Sequence, residues 1–484
     1  MGQETKAGMK PKWPDYSAIW RWHFYAGLFC IPFICWLAVT GSIYLFRPDI
    51  EAWMDRPYEN LKIESARAAP SLEVEAALAA VKDSRFSRYE PPASPTGAAQ
   101  IVVSKDESLV RIYVHPTMLK PMKIIQDDHR PMELLSKLHR GFLMGTFGSV
   151  LMEIAASWAI VMIITGLFLW FPRDRKGAAG VLYPRLNKKG RIYWRDLHAV
   201  TGMWVSLAAL FMLFSGLPWS VAWGNYLTWG RNLSSITSGV PDWPVGGVVA
   251  KANGAESDPI GPSSMPGMTA AEMAAMAPST PHHGGGNNHH MGMSDKDHQI
   301  MLMYALDLIV PAVSTLHIPR PIWVLPPSSH DGAWIASSQI QNRLERVTYT
   351  ISGTDGEVLS KSGFADQNIV DKTVNIGVAA HEGHLFGRLN QLLLLLTASA
   401  LIGMSVSAAV MWWRRKPEDA LGAPRPVGRP RFTGWLLAVT LVLTTIIPLF
   451  GLTLVAVLVA ERTVLRRIRV TREWLGLRAA DAMR

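Results

Sequence analysis

Apolar positions in this chain gather into long unbroken blocks, not into the alternating or 3.6-residue stripes of a water-soluble fold. A bilayer core of roughly 30 Å asks for about 20 apolar residues per helix. Four blocks meet that length, about 24–46, 144–171, 199–223 and 389–413. Taken out to their flanking histidines, they predict spans over 23–47, 139–172, 198–223 and 381–413. Two long polar stretches separate them in pairs, 48–138 and 224–380. In the first, SLEVEAALAAVKD (71–83) has helical spacing, and AAQIVVS and SLVRIYVHP read as strands paired around the turn residues KDE. In the second, RVTYTISGTDGEVLSKSG reads as a hairpin turning at TDGE, with AWIASSQI as a third strand. Both stretches therefore predict small α+β modules.

Composition agrees with a membrane protein: 49% of the 484 residues are hydrophobic and only 18% charged. The net charge of +10 lies beside the spans and so does not point to nucleic acid. Loop 173–197 holds Arg173, Arg175, Lys176, Arg185, Lys188, Lys189, Arg191 and Arg195, and loop 414–433 opens with Arg414, Arg415 and Lys416. Cytoplasmic loops carry such an excess, which places both loops and the N-terminal segment 1–22 inside and the two modules outside. No small-residue cleavage site follows the first span, so it reads as an anchor. The apolar segment 434–460 is harder to place, because it contains Pro448 and is long for one crossing but short for two. A single crossing would put the basic tail 461–484 outside, whereas a re-entrant pair broken at Pro448 would keep it inside. Cys30 and Cys35 both lie in the first span and form no CxxC pair; core packing is their expected role. No CxxCH is present, which excludes covalent c-type haem.

The spans repeat in pairs. His23 is followed at offsets 4, 17 and 18 by Gly27, Thr40 and Gly41, and His198 at the same offsets by Gly202, Ser215 and Gly216. His139 is followed at 2, 6, 26 and 31 by Gly141, Gly145, Thr165 and Trp170, and His381 likewise by Gly383, Gly387, Ser407 and Trp412. The pattern reads as an internal duplication of span, outside module, span. His23 and His198 then lie near the inner face, and His139 and His381 near the outer face. Two histidine pairs at two depths are what two bis-histidine b-type haems require. Gly27 and Gly202 share a helix face with their histidines and are expected to leave room for a flat macrocycle. The glycines at offsets 2 and 6 form GxxxG spacings, expected to pack helices. Any one of these histidines alone would more readily be an interfacial group satisfied by backbone or headgroups. His384 competes with His381 as a ligand, but the repeat favours His381, because Phe142 holds the corresponding place after His139. Glu153, inside the second span, reads equally as a proton or quinol group and as a partner for a neighbour. His115, His129, His317 and His330 read as surface or structural residues.

The motifs LHRGFLMG, RDLHAVTGMW and HEGHLFGRLNQ, with WWRRK and the hairpin TYTISGTDGEVLS, resemble the PepSY-associated transmembrane proteins over about 15–460. That family includes iron-regulated inner-membrane proteins and siderophore-iron reductases that hold two haems. The resemblance implies that His23, His139, His198 and His381 are the family's histidines. It also implies that the outside modules are PepSY-like and periplasmic, on a multi-pass protein of the bacterial inner membrane. The whole is then an α-helical membrane bundle of four core spans plus a C-terminal apolar segment, with α+β periplasmic modules.

The second module carries an insertion, 262–298, that departs from this pattern. It offers the thioethers of Met265, Met268, Met273, Met276, Met291 and Met293 and the imidazoles of His282, His283, His289, His290 and His298. Thioethers select Cu(I), and imidazole suits Cu(II), nickel and zinc, so the tract reads as a copper collector or as a neutral linker. The expected function is a haem-bearing electron conduit, a metal reductase acting on ferric siderophore or cupric ion at the periplasmic side. A metal chelate or metallochaperone would be the periplasmic partner. No GxGxxG or Walker sequence occurs, which leaves quinol or a separate reductase as electron donor. Two other classes fit the same features: a metal-binding or transport protein that moves no electrons, and a regulatory protein whose modules bind a periplasmic partner.

Overall fold

A computed structural model of the chain describes residues 16–172, 177–233, 295–327, 332–424 and 434–477. The insertion residues Met265, Met268, Met273, Met276, His282, His283, His289, His290, Met291 and Met293 lie outside the described residues. Of His298 only the helical backbone is described. The chain divides into two units: Met1–Gly41 with Thr146–Trp223 and Leu393–Arg484, and Ser42–Gly145 with Gly224–Leu392.

The first unit is helical. Among the described residues five helices are long and apolar enough to cross a membrane: Tyr16–Tyr44, Gly145–Trp170, Arg191–Trp219, Arg388–Trp413 and Pro448–Leu465. Four of them, α1 (Tyr16–Tyr44), α5 (Gly145–Trp170), α6 (Arg191–Gly216) and α10 (Arg388–Trp413), coincide with the predicted spans. The C-terminal apolar run is two helices, α11 (Gly434–Ile446) and α12 (Pro448–Ala460). Ile447 leaves helical geometry (φ −125°, ψ 81°), and Pro448, which has no N–H to give, opens the next helix. A Cβ on Gly451 would run into the Thr444 side chain seven residues back, which a straight helix keeps about 10 Å away. The run therefore turns back on itself. Its tip docks on Trp158, whose ring meets Phe450 at 5.2 Å and whose Nε1–H donates to Thr453 Oγ1 at 3.1 Å. The tail returns to the start of α1, where Tyr25 donates to Leu475 O at 2.6 Å.

The second unit is built on one antiparallel sheet in the order β4-β3-β2-β1-β5-β6-β7-β8. The strands are β1 (Arg85–Glu90), β2 (Ala99–Lys105), β3 (Ser108–Val114), β4 (Pro121–Gln126), β5 (Ile322–Leu325), β6 (Trp334–Ser338), β7 (Val347–Ile351) and β8 (Val358–Gly363). The two stretches expected as separate modules thus share a single sheet, joined where Tyr89 of β1 faces Val324 of β5. Each contributes a four-stranded meander. Each also places a helix before the meander and another after it: α3 (Pro70–Ala80) and α4 (Pro131–Gly141), then α8 (Asp295–Thr315) and α9 (Ile369–His381). One face of the sheet presents Tyr89, Ile101, Ile112, Val324, Trp334 and Ile351 to a core closed by Val74 and Ala77 of α3 and Leu306 and Ile309 of α8. Ser71 fastens the two covering helices, giving its N–H and hydroxyl to Asp307 at 2.8 and 2.6 Å.

On the other face of the first meander sits a buried ionic cluster. Arg111 bridges Glu90 (2.6 Å) and Asp127 (2.7 Å), and Arg88 bridges the same two carboxylates at 2.8 and 2.6 Å. Burial alone would raise both carboxyls, but the two guanidiniums outweigh it and hold both below their ordinary values. A carboxyl lowered in the folded state stabilises it above the unfolded value, near pH 4, and that contribution is lost as pH falls through the folded value. Arg111→Met leaves two buried carboxylates short of a partner and is expected to cost about 3–5 kcal/mol near neutral pH. Hydrogen exchange of the strand amides in the full chain reads this, and the wild-type advantage should shrink in acid; equal protection at neutral pH would contradict it.

Candidate functional site

The four repeated histidines divide two and two between the units. In the helical unit, His23 on α1 and His198 on α6 meet with ring centroids 6.3 Å apart and planes inclined at 78°. Each is tied by Nδ1 to the span that follows it. His23 Nδ1 lies 3.0 Å from Met162 O and 3.2 Å from Thr165 Oγ1 of α5. His198 Nδ1 lies 3.2 Å from Met404 O and 3.5 Å from Ser407 Oγ of α10. A carbonyl oxygen can only accept, so Nδ1 carries the proton in both rings and Nε2 keeps its lone pair.

Local sequence explains the approach. A Cβ at Gly166 would stand 3.0 Å from His23 Cε1, so the ring rests against helix backbone at a position without a side chain. Gly27 and Gly202, expected beside a macrocycle, face methionine side chains. A Cβ there would come within 3.7 Å of Met162 Sδ and 3.3 Å of Met404 Sδ. They bring each histidine helix close to the methionine whose carbonyl holds its imidazole.

In the sheet unit, His139 closes α4 and His381 closes α9. They are neighbours: after burial, the positive form of His381 is the main influence opposing protonation of His139, with Arg140 adding to it, and the His139 imidazole is pushed down to about 3. It is therefore neutral near pH 7, as a metal-ligating imidazole must be. The expectation that both histidines open long span helices needs correction, because each sits on its own short helix. The break in the first repeat runs through Phe142 and Leu143, both at positive φ, to Gly145 (φ +57°). In the second it runs from Gly383 (φ +82°) to Gly387 (φ +60°). Gly145, Gly383 and Gly387 supply left-handed turns that side chains resist, and so they serve the break and not a GxxxG helix contact. Gln391 secures the second corner, donating from Nε2 to Leu45 O at 2.9 Å.

Those of the remaining candidates that are described stand in surface, turn or packing positions. His115 accepts the N–H groups of Thr117 and Met118 through Nδ1, both at 3.3 Å, in a tight turn. His129 and His317 are exposed, and His330 lies outside the described residues. Cys30 is buried in helix packing beside Ala155 O. Among the described residues no three His, Cys, Asp or Glu side chains converge as a metal-ion site. Glu153 accepts the N–H groups of Ala222 and Trp223, each at 2.9 Å, and so caps α7 (Val221–Leu233). Glu153→Ala is expected to cost about 1–2 kcal/mol in thermal unfolding. Glu153→Gln, which keeps an acceptor oxygen, should retain most of that stability; equal losses in the two variants would contradict capping.

The family model of the PepSY-associated TM region matches residues 20–415, a stretch that takes in all four histidines and ends before the folded-back C-terminal helices. No curated protein matches this sequence. With more than half of its length matched, the chain belongs to the PepSY-associated transmembrane family.

Proposed function

We propose that this protein is a di-haem electron conduit of the bacterial inner membrane, reducing a ferric chelate or cupric ion at its periplasmic side. The observation that carries the reading is the His23–His198 pair. An imidazole nitrogen stands about 2 Å from a bound metal. Two imidazoles holding one metal between them would bring their centroids to about 6 Å, and the observed spacing is 6.3 Å. Both rings keep Nε2 free by placing Nδ1–H on a carbonyl, the outer hydrogen bond that metal-ligating histidines characteristically make. His23 and His198 would hold one haem, and His139 and His381 the second.

Haem supplies one-electron redox chemistry between these ligands. The chain's own residues orient the imidazoles and hold the proton on Nδ1 of each inner ring. Duplication supports the assignment, because the two halves repeat both the histidine offsets and the order helix, meander, helix, span. Each haem would then be clamped between halves, with one ligand from each. The inner pair belongs to helices α1 and α6, which start beside basic segments, and is the entry point for electrons from quinol or a reductase. The outer pair belongs to the unit that contains the sheet and is the exit toward the metal substrate.

Protein purified from a haem-replete host is expected to show Soret and α bands that shift on dithionite reduction, with two haems per chain by pyridine haemochrome assay. His23→Ala or His198→Ala should remove one haem, and His139→Ala or His381→Ala the other. Protein without haem absorbance would overturn the proposal. A copper role for residues 262–298 stands apart: deleting them should lower copper bound per chain, and unchanged binding would discard that role.

A further inference from the structure

The hydroxyls beside the inner imidazoles do more than fill space. Thr165 and Ser407 occupy the same offset from the preceding histidine in the two halves, and each lies against the Nδ1 of a different inner histidine. The Thr165 hydroxyl already donates to Val161 O and Met162 O, both at 2.9 Å, and that of Ser407 donates to Met404 O at 2.7 Å. With the hydroxyl proton directed along the helix, the oxygen lone pairs face the ring. Each Nδ1–H is therefore shared between a main-chain carbonyl and a side-chain hydroxyl three residues later.

The two seats are unequal. His23 has acceptors at 3.0 and 3.2 Å, and His198 at 3.2 and 3.5 Å. The residue following the hydroxyl also differs: it is Gly166 in α5, where a Cβ would stand 3.0 Å from the His23 ring, and Ala408 in α10.

We propose that Thr165 and Ser407 are positioning residues that give each inner Nδ1–H a second acceptor and so set the donor strength of the imidazoles, His23 being the stronger donor. This rests on the bis-histidine reading above. A ring whose N–H is more strongly accepted carries more negative charge at Nε2 and favours the oxidised metal. Weakening the acceptor should therefore raise the potential of the inner haem, and weakening that of His23 should raise it more.

The test uses the full chain in detergent with three variants, Thr165→Val, Thr165→Ser and Ser407→Ala. Thr165→Val should raise one of the two haem midpoints, favouring reduction by about tenfold, or about 60 mV for one electron. Thr165→Ser should restore it, and Ser407→Ala should shift the same midpoint less. In haem-free protein, the His23 Nδ1–H proton, kept on Nδ1 by the Met162 carbonyl, should move upfield in Thr165→Val as its second acceptor is lost. Unchanged midpoint and Nδ1–H signal in Thr165→Val would overturn the proposal, as would a change that Thr165→Ser fails to reverse, which marks methyl packing. Retention of both haems in His23→Ala would instead overturn the bis-histidine reading, while the Nδ1–H signal still judges the hydroxyls.

Discussion

An imidazole held between an apolar helix bundle and one main-chain carbonyl is the constraint around which the helical unit is arranged. A buried polar group without a partner costs about 1–3 kcal/mol, so His23 and His198 dictate what must lie beside them. Each answers the demand by leaning on the span that follows it in sequence, α1 on α5 and α6 on α10. Gly27, Gly166 and Gly202 permit the approach by removing side chains where helix meets ring or thioether. The result is a close pair of rings, each with Nδ1 engaged and Nε2 keeping its lone pair. Chemistry and packing are thus one problem here, because the bond that satisfies each histidine also aims it.

The sheet unit solves a different problem. Either four-stranded meander alone would leave β1 or β5 as an open edge with unpaired N–H and C=O groups. Joining the two edges removes both and lets α3 and α8 cover a single core. His139 and His381 close the helices that follow each meander, so a shared sheet gives the two halves a common base from which they approach one another.

Much of this was readable in the residues, and the failures have physical causes. The four histidines, the four core spans and strands β2, β3, β6, β7 and β8 announced themselves through spacing and alternation. Strands β1, β4 and β5 did not: RFSRYE carries ionic partners on one face, PMKIIQ is an exposed edge and IWVL is only four residues long. The helix breaks after His139 and His381 were hidden because glycines at offsets 2 and 6 also suit helix packing, and only backbone angles separate the two uses. Thr165 and Ser407 stood in the repeat without a role, since their partner is a carbonyl that no side-chain pattern reveals. Glu153 could not be assigned because α7, the helix it caps, starts in an unremarkable SVAW stretch.

The His23 and His198 ring planes stand close to perpendicular, and on the proposed reading the two rings would hold one haem. Electron paramagnetic resonance of the oxidised protein addresses it directly, because axial imidazole planes set nearly at right angles give a strongly anisotropic low-spin ferric signal. Such a signal is expected in wild type and its loss in His198→Ala, with the second haem's signal retained. A spectrum containing only high-spin iron, or a low-spin signal unchanged in His198→Ala, would contradict it.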